Sequence, residues 1–168
     1  MAENGNTYEG GCTCGAVRYR METKPLFVHC CHCHWCQRET GSSYALNAII
    51  EADRMTVLQG EAERVLTATN SGKDQKIWRC PDCCIALWSN YTGLEDKVCF
   101  VRVGTLDEAN RLSPDLNIYT ASKQSWVVIP PGQPAVEEYY DRAKHWPEDS
   151  LARLRHCLGS PEGTQDQS

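Results

Sequence analysis

Along this chain, short runs rich in β-branched, aromatic and other apolar residues alternate with Gly, Asn, Asp and Pro, the pattern of strands joined by tight turns. The runs predict strands over residues 16–21, 26–30, 44–51, 55–59, 64–69, 76–79, 98–103, 116–119 and 127–129. Their succession predicts a mainly β architecture of antiparallel sheets rather than alternating strand–helix units. Two short helices interrupt it. One starts near His34 and runs toward Thr40, where Gly41 stops it. The other follows Trp146-Pro147, with Pro at a first-turn position and Glu148 and Asp149 suiting the positive end of the helix dipole. Its Leu151, Leu154 and Leu158 recur at helical spacing and predict a face packed on the body, a partner-binding face being the sharper alternative.

The chain has 168 residues, the length of one ordinary domain, with 41% hydrophobic and 23% charged residues, enough for a normal core. The expected organisation is a flexible lead over 1–7, a single β domain over 8–158 and a flexible polar tail over 159–168. Asp and Glu number 22 against 17 Lys and Arg, a formal charge of −5 that argues against a backbone-driven nucleic-acid binder. No apolar stretch approaches the roughly 20 residues of a membrane helix, and the first residues carry no secretory pattern. The expectation is a cytoplasmic protein with no nucleic-acid and no membrane partner, its oligomeric state open.

Cysteine usage changes the picture: there are 11, and an odd number cannot all pair within the chain. In a reducing compartment, dense cysteines point to metal, because disulfides do not persist there. They cluster as Gly11-Cys12-Thr13-Cys14-Gly15, as Cys30-Cys31-His32-Cys33-His34-Trp35-Cys36, and as Cys80-Pro81-Asp82-Cys83-Cys84. Zinc favours four ligands in a tetrahedron, and two cysteines in one tight turn clasp an edge of it. Cys12/Cys14 and Cys80/Cys83 make two such clasps and predict a closed structural site, with buried free thiols or a redox pair as the alternative. Cys31, Cys33 and Cys36 offer three thiolates and no further clasp. Three protein ligands with a vacant position suit a catalytic zinc, whereas closure by His29, His32, His34 or Cys30 would make the site structural. Spacing alone leaves both readings standing.

At these residues the chain resembles the glutathione-dependent formaldehyde-activating enzyme family, also called the centromere protein V family. The resemblance rests on Gly10 through Tyr19, on Cys31 through Arg38, on Thr40-Gly41-Ser42-Ser43 and on Arg79-Cys80-Pro81-Asp82-Cys83 with Leu87-Trp88. It ends in Asn117-Ile118-Tyr119, Ser122-Lys123 and Trp126. It implies a β-tent fold of antiparallel sheets with zinc-binding cysteine loops and a short C-terminal helix. It also implies two zinc ions per chain, a structural one on Cys12, Cys14, Cys80 and Cys83 and a catalytic one on Cys31, Cys33 and Cys36. The activity implied is that of a carbon–sulfur lyase, joining glutathione as co-substrate to formaldehyde. The sequence departs from the family pattern at Cys84, where Gly is common, at Asn117, where His is frequent, and at the added thiol Cys30.

A small-molecule thiol with an electrophile or thioether substrate is therefore expected. Proton-transfer candidates are His32 and His34, which flank the ligands and titrate near neutrality, with an orienting role as the alternative. Arg38 and Lys123 are candidates to pair with glutathione carboxylates, the alternative being solvated surface charge. Trp35, Tyr44 and Trp126 would wall a pocket or pack in the core, and Cys99 and Cys157 read as buried small apolar residues. The competing class is a non-catalytic, zinc-stabilised binding module, which would need the four-cysteine site but not the second cluster.

Overall fold

Strand pairing sorts the β segments into two sheets in this computed structural model, which describes residues 5–69, 72, 74–94 and 96–159. A three-stranded antiparallel sheet joins β1 (Tyr8–Gly11), β2 (Arg18–Met21) and β5 (Met55–Gln59) in that order. A seven-stranded sheet begins with β10 (Leu116–Ile118), β3 (Phe27–Cys31), β4 (Ala45–Glu51) and β9 (Val98–Arg102). It continues through β8 (Ala86–Tyr91), β7 (Gln75–Arg79) and β6 (Glu63–Thr67). All neighbours run antiparallel except β10, which lies parallel to β3. The mainly β expectation holds.

Alternation along the central strands makes two cores, one on each face of the large sheet. Ala48 and Ile50 of β4 and Val101 of β9 pack with Tyr19 and Met21 of the small sheet. Ala45, Ile49 and Val98 point the other way, toward Phe27, Leu116, Ile118 and the helices. Those helices are α1 (His34–Thr40), α2 (Arg142–His145) and α3 (Glu148–Leu158). Leu154 of α3 is buried in the second core, with Leu151 and Leu158 beside it, so the leucine stripe is a packing face. β3 is covered on both sides, and all five of its residues are buried.

The differences from the sequence reading are local. Residues 127–129 form no strand: Val127 closes a turn by donating to the Gln124 carbonyl, and Val128 stands 82% exposed. Pro130 and Pro131 follow, neither of which has an N–H for a ladder. β1, β8 and α2 were not foreseen. Residues 1–4 and 160–168, most of the expected lead and tail, lie outside the described residues. No described helix is long and apolar enough to cross a membrane.

Candidate metal and substrate site

The turn between β1 and β2 carries Cys12 and Cys14, and the turn between β7 and β8 carries Cys80 and Cys83; their four sulfurs lie within 4.8 Å of one another. Each turn is built by its own backbone. The Cys12 amide donates to the Val17 carbonyl at 3.1 Å, and the Val17 amide donates to the Cys12 sulfur at 3.2 Å, while the Cys84 amide closes on the Cys80 carbonyl at 2.9 Å. Sγ of Cys12 sits 3.4 Å from that of Cys14, and Sγ of Cys14 sits 3.6 Å from that of Cys80. Two thiolates sharing a tetrahedral zinc at about 2.3 Å would stand about 3.8 Å apart, so this donor set fits the ion in chemistry and in scale. Burial raises the pKa of Cys12, but the Val17 amide and the neighbouring thiols outweigh it and bring it down to about 6.

Cys84 lies outside this group and is exposed. Its φ is 61°, the left-handed region that glycine enters without strain, so the turn keeps its shape and the cysteine bears the steric cost.

The second group joins Cys31, at the end of β3, to Cys33 and Cys36 at the start of α1; these sulfurs also lie within 4.8 Å of one another. Cys33 caps the helix, its sulfur accepting from the Cys36 amide at 3.4 Å. Gly41 ends α1 with φ 64°, as the sequence predicted. Hydrogen bonds from the Cys31 and Cys36 thiols, working against burial and aided by the Cys36 and Trp35 amides, draw Cys33 down to about 2. Three convergent sulfurs of this kind fit a soft divalent ion.

Among the described residues, no histidine and no further cysteine joins the three. Cys30 points to the opposite face of β3, as adjacent strand residues must, and its sulfur lies 3.5 Å from Nε2 of His32. His29 is buried against Phe27 and Tyr140 and shares a hydrogen bond with the Tyr140 hydroxyl. His32 is 1% exposed, with Nε2 3.2 Å from Oδ1 of Asn117. Asn117 donates its own amide to the Pro134 carbonyl and to Gln133, which fixes Oδ1 as the acceptor and Nε2 of His32 as the donor. Asn117 thus orients an imidazole. Nδ1 of His32 is buried without a partner among the described residues. Burial chiefly, and the Lys123 ammonium next, hold His32 below its ordinary pKa against the Asn117 hydrogen bond.

Two clefts flank α1. The first, about 660 Å³, is lined by His34, Gln37, Arg38, Gly41, Ser42, Ser43 and Gln124. His34 and Arg38 are both exposed there. Gln37 knots its floor, donating to the carbonyls of His32 (2.6 Å) and Ser122 (2.9 Å) and accepting from Gln124 (3.2 Å). Lys123 is held by its own neighbourhood, its ammonium donating to the carbonyls of Val127 (2.6 Å) and Gln124 (3.3 Å). The second cleft, about 700 Å³, is bounded by Glu39, Thr40, Tyr44, Arg79, Cys84 and Arg102 among others. Of the three aromatics, Tyr44 lines this cleft and Trp35 donates to the Ala68 carbonyl, while Trp126 is 70% exposed and packs in neither core. Cys99 is buried, as expected, and Cys157 is half-buried, donating to the Lys97 carbonyl.

Gln37 and Glu39 had no role in the sequence reading. Glu39, its side chain 6% exposed, receives Arg79 at 2.7 Å and Arg102 at 2.6 Å, and Arg79 also reaches the Cys84 carbonyl at 3.1 Å. One carboxylate thus ties the helix of the three-cysteine group to the turn of the four-cysteine group. Its only sequence signal is an acidic residue three positions after a candidate cysteine ligand, too common a pattern to single out.

Residues 7–122 match the glutathione-dependent formaldehyde-activating enzyme family. The chain belongs to that family. A Halomonas elongata protein named for the same activity is 28% identical over 160 residues, covering 92% of this chain and 98% of its own length. A crystal structure of a Rhodobacter sphaeroides protein is similar over 63% of this chain and 91% of its own, with a TM-score of 0.46 and 24% identity. Within this formaldehyde-activating family member, the matched span holds all seven clustered ligand candidates and both clefts' α1 residues.

Proposed function

We propose that this protein is a zinc-dependent carbon–sulfur lyase that joins glutathione, or a thiol like it, to an aldehyde such as formaldehyde. The observation carrying this reading is the set of three sulfurs on Cys31, Cys33 and Cys36, which no fourth His, Cys, Asp or Glu donor joins among the described residues, next to the helix that lines a polar cleft. A zinc ion held by these residues would supply the charge that turns an incoming thiol into a thiolate at neutral pH. Cys12, Cys14, Cys80 and Cys83 would hold a second, structural ion.

The reaction proposed forms one C–S bond: the sulfur pair adds to the carbonyl carbon, the C=O pair moves to oxygen, and oxygen gains the proton that sulfur lost. No oxidant or reductant enters. The chain's own groups divide the remaining tasks. Arg38 offers a bidentate fork to a substrate carboxylate in the first cleft, where the hydroxyls of Ser42 and Ser43 supply further donors. His34, exposed in the same cleft, is the residue we assign to exchange the migrating proton. His32, buried and held by Asn117, is assigned a positioning role. Lys123 is assigned to shaping the 124–127 turn that presents Gln124. A cytoplasmic setting, where glutathione is abundant and thiols stay reduced, fits this chemistry.

The test is metal analysis with thiol consumption. Wild type should carry about two zinc ions and Cys33→Ala about one, with adduct formation lost and the fold kept. Unchanged stoichiometry in the variant would refute the assignment. Two metals with no turnover on any thiol and aldehyde would favour the binding-module reading.

A further inference from the structure

The second cleft is out of proportion to formaldehyde. It measures about 700 Å³, the scale of a pocket for a many-atom ligand. It also adjoins the strand and helix that carry the three-cysteine group. Its wall residue Ala45 pairs directly with Cys31 across β3 and β4, and its wall residue Thr40 donates to the Cys36 carbonyl at 2.7 Å. From there it runs past Tyr44 and the apolar side chains of Leu46, Ile85, Val103 and Leu112.

Its charge is unbalanced. Arg79 and Arg102 line it, and Glu39 is the acidic residue on its wall; the other lining residues are neutral, which leaves one positive charge in a chain whose net charge is −5. Arg102 is 8% exposed, with its terminal nitrogens on Glu39 and Asn47 and its Nε without a partner among the described residues. A cleft that combines apolar walls with an excess guanidinium suits an organic molecule bearing one carboxylate.

We infer that this cleft receives the carbon partner of the reaction, and that this partner is an aldehyde carrying a carboxylate. The inference rests on the function proposed above and adds the class of electrophile. The two clefts then serve two substrates from opposite sides of α1, the thiol at Arg38 and the aldehyde at Arg79 and Arg102. Addition proceeds as for formaldehyde and balances in the same way: sulfur bonds to the aldehyde carbon, and its proton ends on the oxygen.

The test uses glyoxylate as the charged probe and propionaldehyde as the uncharged one, with the zinc-loaded protein. Binding is followed by calorimetry without thiol, and adduct formation is followed with glutathione. Arg79→Gln removes the excess charge. Gly104→Leu fills the cleft: Gly104 lines it, and a Cβ built there meets nothing within 4 Å, so the fold should tolerate the change. Metal content and thermal melting establish that each variant is folded.

Glyoxylate should bind wild type and propionaldehyde should not, and glyoxylate affinity should drop at least tenfold in Arg79→Gln and vanish in Gly104→Leu. Equal handling of both aldehydes by wild type, or unchanged glyoxylate binding in both variants, would overturn the inference. So would loss of glutathione binding instead of glyoxylate binding in Gly104→Leu, which would give the cleft to the thiol. Turnover of formaldehyde without glyoxylate binding would sink this inference and leave the proposed function intact. Glyoxylate binding with no aldehyde turned over would refute the proposed function and, with it, the cleft's place in the reaction, leaving only a carboxylate-binding cleft.

Discussion

The sulfurs of Cys14 and Cys80 meet across 66 residues of chain, joining a turn of the small sheet to a turn of the large one. The sulfurs of Cys31, Cys33 and Cys36 come from a single strand–helix junction. An ion in the first group would close a long loop and lock two sheets together, so its binding energy would count largely as folding energy. An ion in the second would cross-link little that β3 and α1 do not already hold. Such a group can leave a ligand position free without loss to the fold, and that freedom is what chemistry on a thiol requires.

Removing one sulfur from each group should separate these roles. Cys80→Ala should lower stability by at least about 4 kcal/mol, the range seen when a structural metal is lost, with zinc content falling as well. Urea melts of the metal-loaded proteins measure it. Cys33→Ala should leave stability within about 1 kcal/mol, the value of the helix cap its sulfur provides. Its adduct formation should fall at least about 100-fold, or about 2.7 kcal/mol of barrier. Equal destabilisation by the two changes would erase the distinction between the groups.

The contact between the groups gives a smaller, third effect. Glu39 accepts from Arg79, the residue before Cys80, and from Arg102, while its helix carries Cys33 and Cys36. Glu39→Gln keeps the shape but leaves two guanidinium groups with one neutral acceptor between them. A stability loss of about 2 kcal/mol is expected, with zinc retained in both groups. Loss of metal from either group would show that the carboxylate holds the ligands themselves and not only the elements that bear them.

What the sequence displayed, and what it hid, follows from the same geometry. Both cysteine groups were legible because each turn brings its sulfurs together within two to five residues, a distance over which spacing is geometry. Glu39, Arg79 and Arg102 meet from three separate elements, and no local pattern records that meeting. β8 escaped notice because Ser89 and Asn90 are buried where apolar residues would be expected. Gln75 satisfies Ser89 at 2.7 Å, and Trp78 satisfies Asn90 at 2.7 Å, partners visible only once β7 lies alongside. β1 was masked by its glycines. Gly10 is required by contact: a Cβ there would fall 2.5 Å from the Thr105 carbonyl oxygen, where β1 meets Leu106.

The smallest predicted effect lies at Cys84, where the four-cysteine turn departs from the family pattern without changing shape. If the turn dictates the backbone, glycine there removes the steric cost of φ 61° and leaves the carbonyl that receives Arg79 in place. Cys84→Gly should therefore stabilise the protein by about 1 kcal/mol with zinc content unchanged. Cys84→Ala removes the thiol but keeps the Cβ, and should be nearly neutral. If both substitutions destabilise equally, the exposed sulfur supports the closed group through its own interactions, and the contrast between a closed set of four and an open set of three would have to admit a fifth thiol at the first.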